Sequence, residues 1–378
     1  MPYHIAFVDD EPEDALPDYR KALGSLDAEF VEAQPPAERG EWDPFFERVS
    51  GVDLILLDHN LLRRVAYDGG MMGVRLRSEF PAVPIVLATR KRLLTDAPPS
   101  DLTDSVMTEG SFEADSNALA VDEVLYKSDL AAHQASIRAL IEGYRPLRAL
   151  DPRDRTWGRT ADLLGATEPE LRELRSTGLA LAAGGGGKPT WKLRDFVEWV
   201  RHTLLQYPGP LLDKDHAAAR LGVTPGSLAA GPLQERLAAA RYAGVFADPE
   251  APVWWRSRLL NAAEDVVEQY SGEGSRLSVS FPSACQHAGF VGVEVALCEW
   301  DGTSGVDTVC YVSRNPVKLE NSLAYRADAR PPATEEARVS FRTIHESNDY
   351  DERLFGLAGQ REVDRILQLP DPLAADEG

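Results

Sequence analysis

Four short apolar runs recur within the first third of the chain, and each one ends on a polar side chain. They are "HIAFVDD" (4–10), "DLILLDHNL" (53–61), "VPIVLATRK" (83–91) and "VDEVLYKS" (121–128). Between them lie segments with helical periodicity, "EDALPDYRKALGSL" (13–26) and "GGMMGVRLRSEF" (69–80), and "LAAHQASIRALIEGY" (130–144) follows the last run. Runs of this length alternating with helices predict an α/β fold with a doubly wound parallel sheet. In such a sheet all strands end at the same edge, and ligands bind there. Asp9 and Asp10, Asp58, Thr89 and Lys127 then converge on one rim. Three ionised carboxylates repel one another unless a cation sits among them. Two or three carboxylates, a backbone carbonyl and waters suit Mg²⁺, which prefers oxygen ligands and keeps part of its hydration shell.

Those residues carry a resemblance. "VDDEPED", "LILLDHNL", "VLATRK" and "VLYKSD" resemble the motifs of the receiver domain of two-component response regulators, over about residues 3–145. The resemblance implies a flavodoxin-like sheet, Asp58 as phosphoacceptor, and Asp9, Asp10, Asp58 and the carbonyl of Asn60 around Mg²⁺. It also implies that Thr89 and Lys127 bind the phosphoryl oxygens and that a sensor histidine kinase is the donor. The sequence departs from the family pattern in four places. Thirty-eight positions separate Thr89 from Lys127, more than the family usually has, and the loop after Asp58 is extended. Val124 stands three residues before Lys127, where the family often has an aromatic, and Ser128 stands where it usually has proline.

Beyond "YRPLRALDPRDR", which reads as a linker, a unit repeats at an offset of 57 residues: "TADLLGATEPEL" (160–171) and "AAARLGVTPGSL" (217–228). Each is followed by a glycine, a short apolar stretch, a loop, a tryptophan and an apolar-periodic helix. This weakly resembles tandem winged helix-turn-helix modules. Gly165 and Gly222 are expected to take the turn conformation that side chains disfavour, and Thr167 and Thr224 to cap the helices that follow. Residues 275–345 alternate like short strands and predict a small antiparallel sheet around the turn "DGTSG". The expected organisation is 1–145 receiver, 146–207 and 208–273 winged-helix-like repeats, and 274–370 a β-rich region.

Charge limits the function of these modules. The chain of 378 residues carries a net charge of −21, and both the first 150 residues and the remainder are acidic. Broad nucleic-acid binding requires a basic face. The second helices of the repeats, "EPELRELRS" and "PGSLAAGPLQERL", offer few side chains that read bases or phosphates. The expectation is therefore a protein target for the C-terminal part, with DNA binding as the alternative and an enzymatic strand-rich end as a third option. Cys285, His287, Cys298 and Cys310 lack the paired spacing of structural zinc sites, and "AAGGGGKPT" departs from a phosphate loop at Pro189. No independent catalytic motif is present. The absence of a signal core or a long apolar segment predicts a soluble, cytoplasmic protein without a membrane partner.

Overall fold

The computed structural model describes residues 2–61, 65, 67–89, 121–177, 191–229, 231–270, 279–324, 337–346, 360–370 and 372–373. It divides into two compact units, Met1–Asp154 and Arg155–Gly378.

In the first unit the sheet contains β1 (Tyr3–Val8), β2 (Ala28–Ala33), β3 (Leu54–Asp58), β4 (Ile85–Thr89) and β5 (Glu123–Tyr126). The strands lie in the order β2-β1-β3-β4-β5, every pairing parallel. The helices are α1 (Pro12–Ala22), α2 (Trp42–Arg48), α3 (Gly69–Glu79) and α4 (Gln134–Arg148). This is the flavodoxin-like strand order. The central strands β3 and β4 are buried along their whole length, because parallel strands are covered on both faces. The sequence pattern did not reveal β2. It is an edge strand, "AEFVEA", buried only at Ala33, so it lacks the continuous apolar run of its neighbours.

At the lower end of the sheet partly buried ion pairs fasten the layers. Asp122 accepts from Arg77, Tyr144 and the Ile85 N–H, the last at 2.7 Å. Asp53 accepts from the His4 N–H at 3.0 Å and from Arg148 at 3.3 Å. Arg148 belongs to α4, so "YRPLR" is helix and not linker. Tyr144 and Leu147 are buried, and that burial outweighs the hydrogen bond lost at Pro146.

The second unit begins with α5 (Trp157–Leu164), α6 (Glu168–Thr177) and α7 (Leu193–Trp199). After β6 (Leu211–Leu212) come α8 (Lys214–Leu221), a 3-10 turn at Pro225–Ala229 and α9 (Gly231–Arg236). β7 (Trp254–Trp255), α10 (Arg256–Tyr270) and α11 (Phe281–His287) follow. The repeat is visible in backbone detail. Gly165 and Gly222 are left-handed, at φ 59° and 68°. In each, the next residue returns a hydrogen bond five positions back, Ala166 to Ala161 at 2.8 Å and Val223 to Ala218 at 3.0 Å. That is a Schellman stop, which only glycine enters without strain. The threonines act differently from simple caps. Thr167 receives the Glu170 carboxylate on its N–H at 2.7 Å, and the Thr224 hydroxyl bonds the Ser227 hydroxyl at 2.9 Å.

In the second repeat, Trp254 is flanked by Leu212 and Arg241 in a minimal antiparallel sheet. The corresponding loop of the first repeat, 178–190, lies outside the described residues, as do 90–120 and 271–278.

The C-terminal region is helical with small antiparallel sheets. β8 (Thr308–Val309) pairs with β9 (Pro316–Val317), and β10 (Ser322–Ala324) with β11 (Arg338–Ser340). Two short helices follow, α12 (Phe341–Glu346) and α13 (Gln360–Leu367). The strands are shorter than the alternation suggests. Residues 291–300 contribute a single bridge at Val295, and Phe281 opens a helix capped by the Ser280 hydroxyl. The three cysteines are free and buried, Cys285 in one core and Cys298 and Cys310 in another. Among the described residues they form no metal-ligand cluster.

Candidate phosphoryl-acceptor site

The parallel register brings the acidic residues together. Val8 pairs with Leu57, so Asp9, which follows Val8, lies beside Asp58, the last residue of β3. Oxygens of Asp9, Asp10 and Asp58 lie within 4.8 Å of one another. Asp9 and Asp58 are buried, at 3% and 5% exposure. Asp58 Oδ2 accepts from Lys127 Nζ at 2.8 Å, and Asp58 Oδ1 from the Asn60 N–H at 3.3 Å. Asp9 Oδ1 accepts from the Glu11 N–H at 2.8 Å. Asp10 Oδ2 is buried without a hydrogen-bond partner.

Burial pushes the Asp9 carboxyl up to about 7, helped by the neighbouring Asp58 charge and opposed by the Glu11 N–H and Lys127. A buried carboxylate oxygen with no donor and a neighbour reluctant to ionise mark a site short of positive charge. The donor set is all oxygen, so these residues fit a hard divalent cation such as Mg²⁺.

These groups form the floor of an open cleft of about 490 Å³. Its wall includes residues that the strand-end pattern missed: Glu11, Asp14, Asp18 and Tyr19, all but Glu11 within α1. Their signal was the helical spacing of Asp14 and Asp18. Thr89 is buried at the end of β4, one residue beyond Ala88, the register partner of Asp58. It therefore stands at the same rim, while Asn60, Lys127 and Ser128 face the cleft.

Gly69 holds this rim from behind. Its N–H donates to the His59 carbonyl at 2.9 Å, and a Cβ there would overlap the Asp58 carbonyl oxygen. Asp68 caps α3 through the Met71 N–H at 2.9 Å. The cap and the bare glycine let α3 start directly under the end of β3.

In the second unit, α6 turns its acidic face inward. Glu170, 2% exposed, accepts from Arg258 Nη2 at 2.6 Å and from Ser257 at 2.8 Å, and Glu173 pairs with Arg256. Much of the first repeat's second helix is thus committed to packing on α10.

No family model and no curated protein matches the chain. Solved structures do resemble its N-terminal part. The response regulator DrrB of Thermotoga maritima is 16% identical over 38% of this chain and 54% of its own, at a TM-score of 0.26. The chain thus spans about half of that regulator's length. A signal receiver domain from Pseudomonas fluorescens is 19% identical over 39% of this chain and 92% of its own, at 0.26. A response regulator receiver domain protein from Methanospirillum hungatei is 16% identical over 39% and 99%, at 0.27. The strand order of the first unit is flavodoxin-like.

Proposed function

We propose that the first unit accepts a phosphoryl group on Asp58 and that this controls how the second unit meets a protein partner. The observation that carries the reading is the constellation itself: three carboxylates within 4.8 Å, with Lys127 bonded to the one that ends β3. Asp9, Asp10, Asp58 and the Asn60 carbonyl would hold Mg²⁺, which when bound neutralises charge on the incoming phosphoryl oxygens.

Asp58 is the nucleophile. Its oxygen forms the new P–O bond as the P–N bond to a donor imidazole breaks, and the electron pair leaves with that nitrogen. Lys127 lies near enough to follow the charge from the carboxylate to the phosphoryl group. Thr89, at the same rim, would receive a phosphoryl oxygen through its hydroxyl. A sensor histidine kinase is the donor this chemistry implies, and a cytoplasmic location goes with it. The new group adds nearly two negative charges to an already acidic pocket.

Charge favours a protein target over DNA. The exposed start of α6 carries Glu168, and α9 presents Gln234, Glu235 and Arg236 to solvent, with no net positive charge. A gel-shift series with genomic fragments at low and moderate salt separates the readings, since sequence-selective retention would establish the transcription-factor alternative. For the first unit, incubation with acetyl phosphate and Mg²⁺ labels the protein, and Asp58→Asn abolishes the label. Undiminished labelling of Asp58→Asn would place the acceptor elsewhere.

A further inference from the structure

Among the described residues, the second helix-turn-helix carries a strand edge with no hydrogen-bonded strand on its outer side. Val295 bridges Val223 in antiparallel fashion. The bonds are Thr224 N–H to the Glu294 carbonyl and Ala296 N–H to the Gly222 carbonyl, each 3.0 Å. They use the inward groups of residues 294 and 296. The N–H and C=O of Val295 therefore point outward, and alternation turns those of Leu297 the same way. Among the described residues, neither pair is hydrogen-bonded. Burial alternates in step: Ala296 and Cys298 are 1% exposed, Val295 37% and Leu297 54%. Val291, beyond the turn at Gly292, is 84% exposed.

An extended edge with free backbone groups and outward apolar side chains is a template for one more strand. Natural proteins usually blunt such an edge with a lysine, a proline or a covering element, and residues 293–297 contain neither lysine nor proline. The charge of the chain identifies the occupant. A second copy would bring another net −21 and another exposed Glu294 to the same line, which opposes self-pairing.

We propose that Val293–Leu297 is a β-addition site for an extended segment of a partner protein, with apolar residues at alternate positions and Lys or Arg between them. Backbone hydrogen bonds to Val295 and Leu297 supply the pairing, and the apolar side chains set its register. The segment sits on the turn of the second repeat, so a bound strand would extend the Gly222–Thr224 bridge into a small sheet. The site does not depend on whether Asp58 takes a phosphoryl group.

The test uses the full chain and a fluorescent hexapeptide of alternating Lys and Val, with a second peptide N-methylated at alternate positions. The unmethylated peptide gives saturable anisotropy and slows amide exchange at Val295 and Leu297. Methylation weakens binding by about tenfold or more, because the lost donors are the ones that pair. Val295→Pro removes the outward N–H while sparing the bonds to Gly222 and Thr224, and weakens binding similarly. Leu297→Lys does the same by charge and leaves the backbone intact, should the proline variant fold poorly. Both retain labelling on Asp58. Absence of binding, or binding indifferent to methylation and to both variants, overturns the proposal. So does a concentration-dependent dimer in sedimentation that Leu297→Lys dissolves, which would make a second copy the occupant.

Discussion

Lys127 Nζ lies 2.8 Å from Asp58 Oδ2, and both belong to the rim where β3 and β5 end. Asp58 and Lys127 are 6% and 23% exposed in their side chains, so this ion pair is screened far less than a surface one. Lys127→Ala should leave the first unit folded but slow phosphoryl incorporation by on the order of tenfold or more. Rapid-quench labelling of the variant measures this, and an unchanged rate would remove Lys127 from the chemistry.

The pH dependence of stability follows from Asp9. Burial lifts its folded-state value to about 7, above the ordinary carboxylate value. Between those values the folded protein binds more protons than the unfolded chain, so stability falls as pH rises through that window. Without divalent cations the first unit should melt lower at pH 8 than at pH 5, by roughly 1–3 kcal/mol in stability. Asp9→Asn flattens the profile, and Mg²⁺ recovers more stability at pH 8 than at pH 5. Thermal melts across this range, with and without Mg²⁺, check all three outcomes. A metal-free profile that rises toward pH 8 would contradict the assignment.

Gly69 is predicted to tolerate no side chain. An alanine Cβ would meet the Asp58 carbonyl oxygen, Leu87 Cδ1 at 2.8 Å and His59 Cα at 2.9 Å. Gly69→Ala should cost about 2–3 kcal/mol and displace the end of β3, despite alanine's better helix propensity. Gly158, in α5, has nothing within 4 Å of the place a Cβ would occupy, and Gly158→Ala should stabilise by about 0.5–1 kcal/mol. Urea denaturation of the two variants gives the comparison.

The two repeats of the second unit are joined by Glu170. Burial works against its ionisation, but hydrogen bonds from Arg258, Thr167 and Ser257 outweigh that and hold its carboxyl below the usual range. Its contribution is present above the ordinary carboxylate value and is lost as pH falls through the lowered one. Arg258→Ala leaves the carboxylate buried without its cation and should cost about 3 kcal/mol. Adding Glu170→Gln to that variant should recover part of the loss, which a double-mutant cycle in urea would reveal.

Much of the first unit could be read from residue order. Apolar runs ending in Asp9, Asp58, Thr89 and Lys127 determined a parallel sheet and a shared rim, because a parallel strand buried on both faces needs an unbroken apolar segment and all such strands end together. The glycines at 165 and 222 fixed the turns of the repeat by the same local logic, since only a residue without Cβ enters that conformation freely. The tertiary structure decided what depends on neighbours distant in sequence. The edge strand Ala28–Ala33 forms because β1 offers it a partner, with little apolar signal of its own. The acidic wall from α1 exists because that helix packs against β1 and β2 and lines the cleft. Residues 291–300 keep strand periodicity without becoming a ladder, since a strand requires partners on its edges and, among the described residues, the fold supplies a bridge at Val223 alone. Periodicity records which side chains are buried, whereas pairing is set by what the rest of the chain brings alongside.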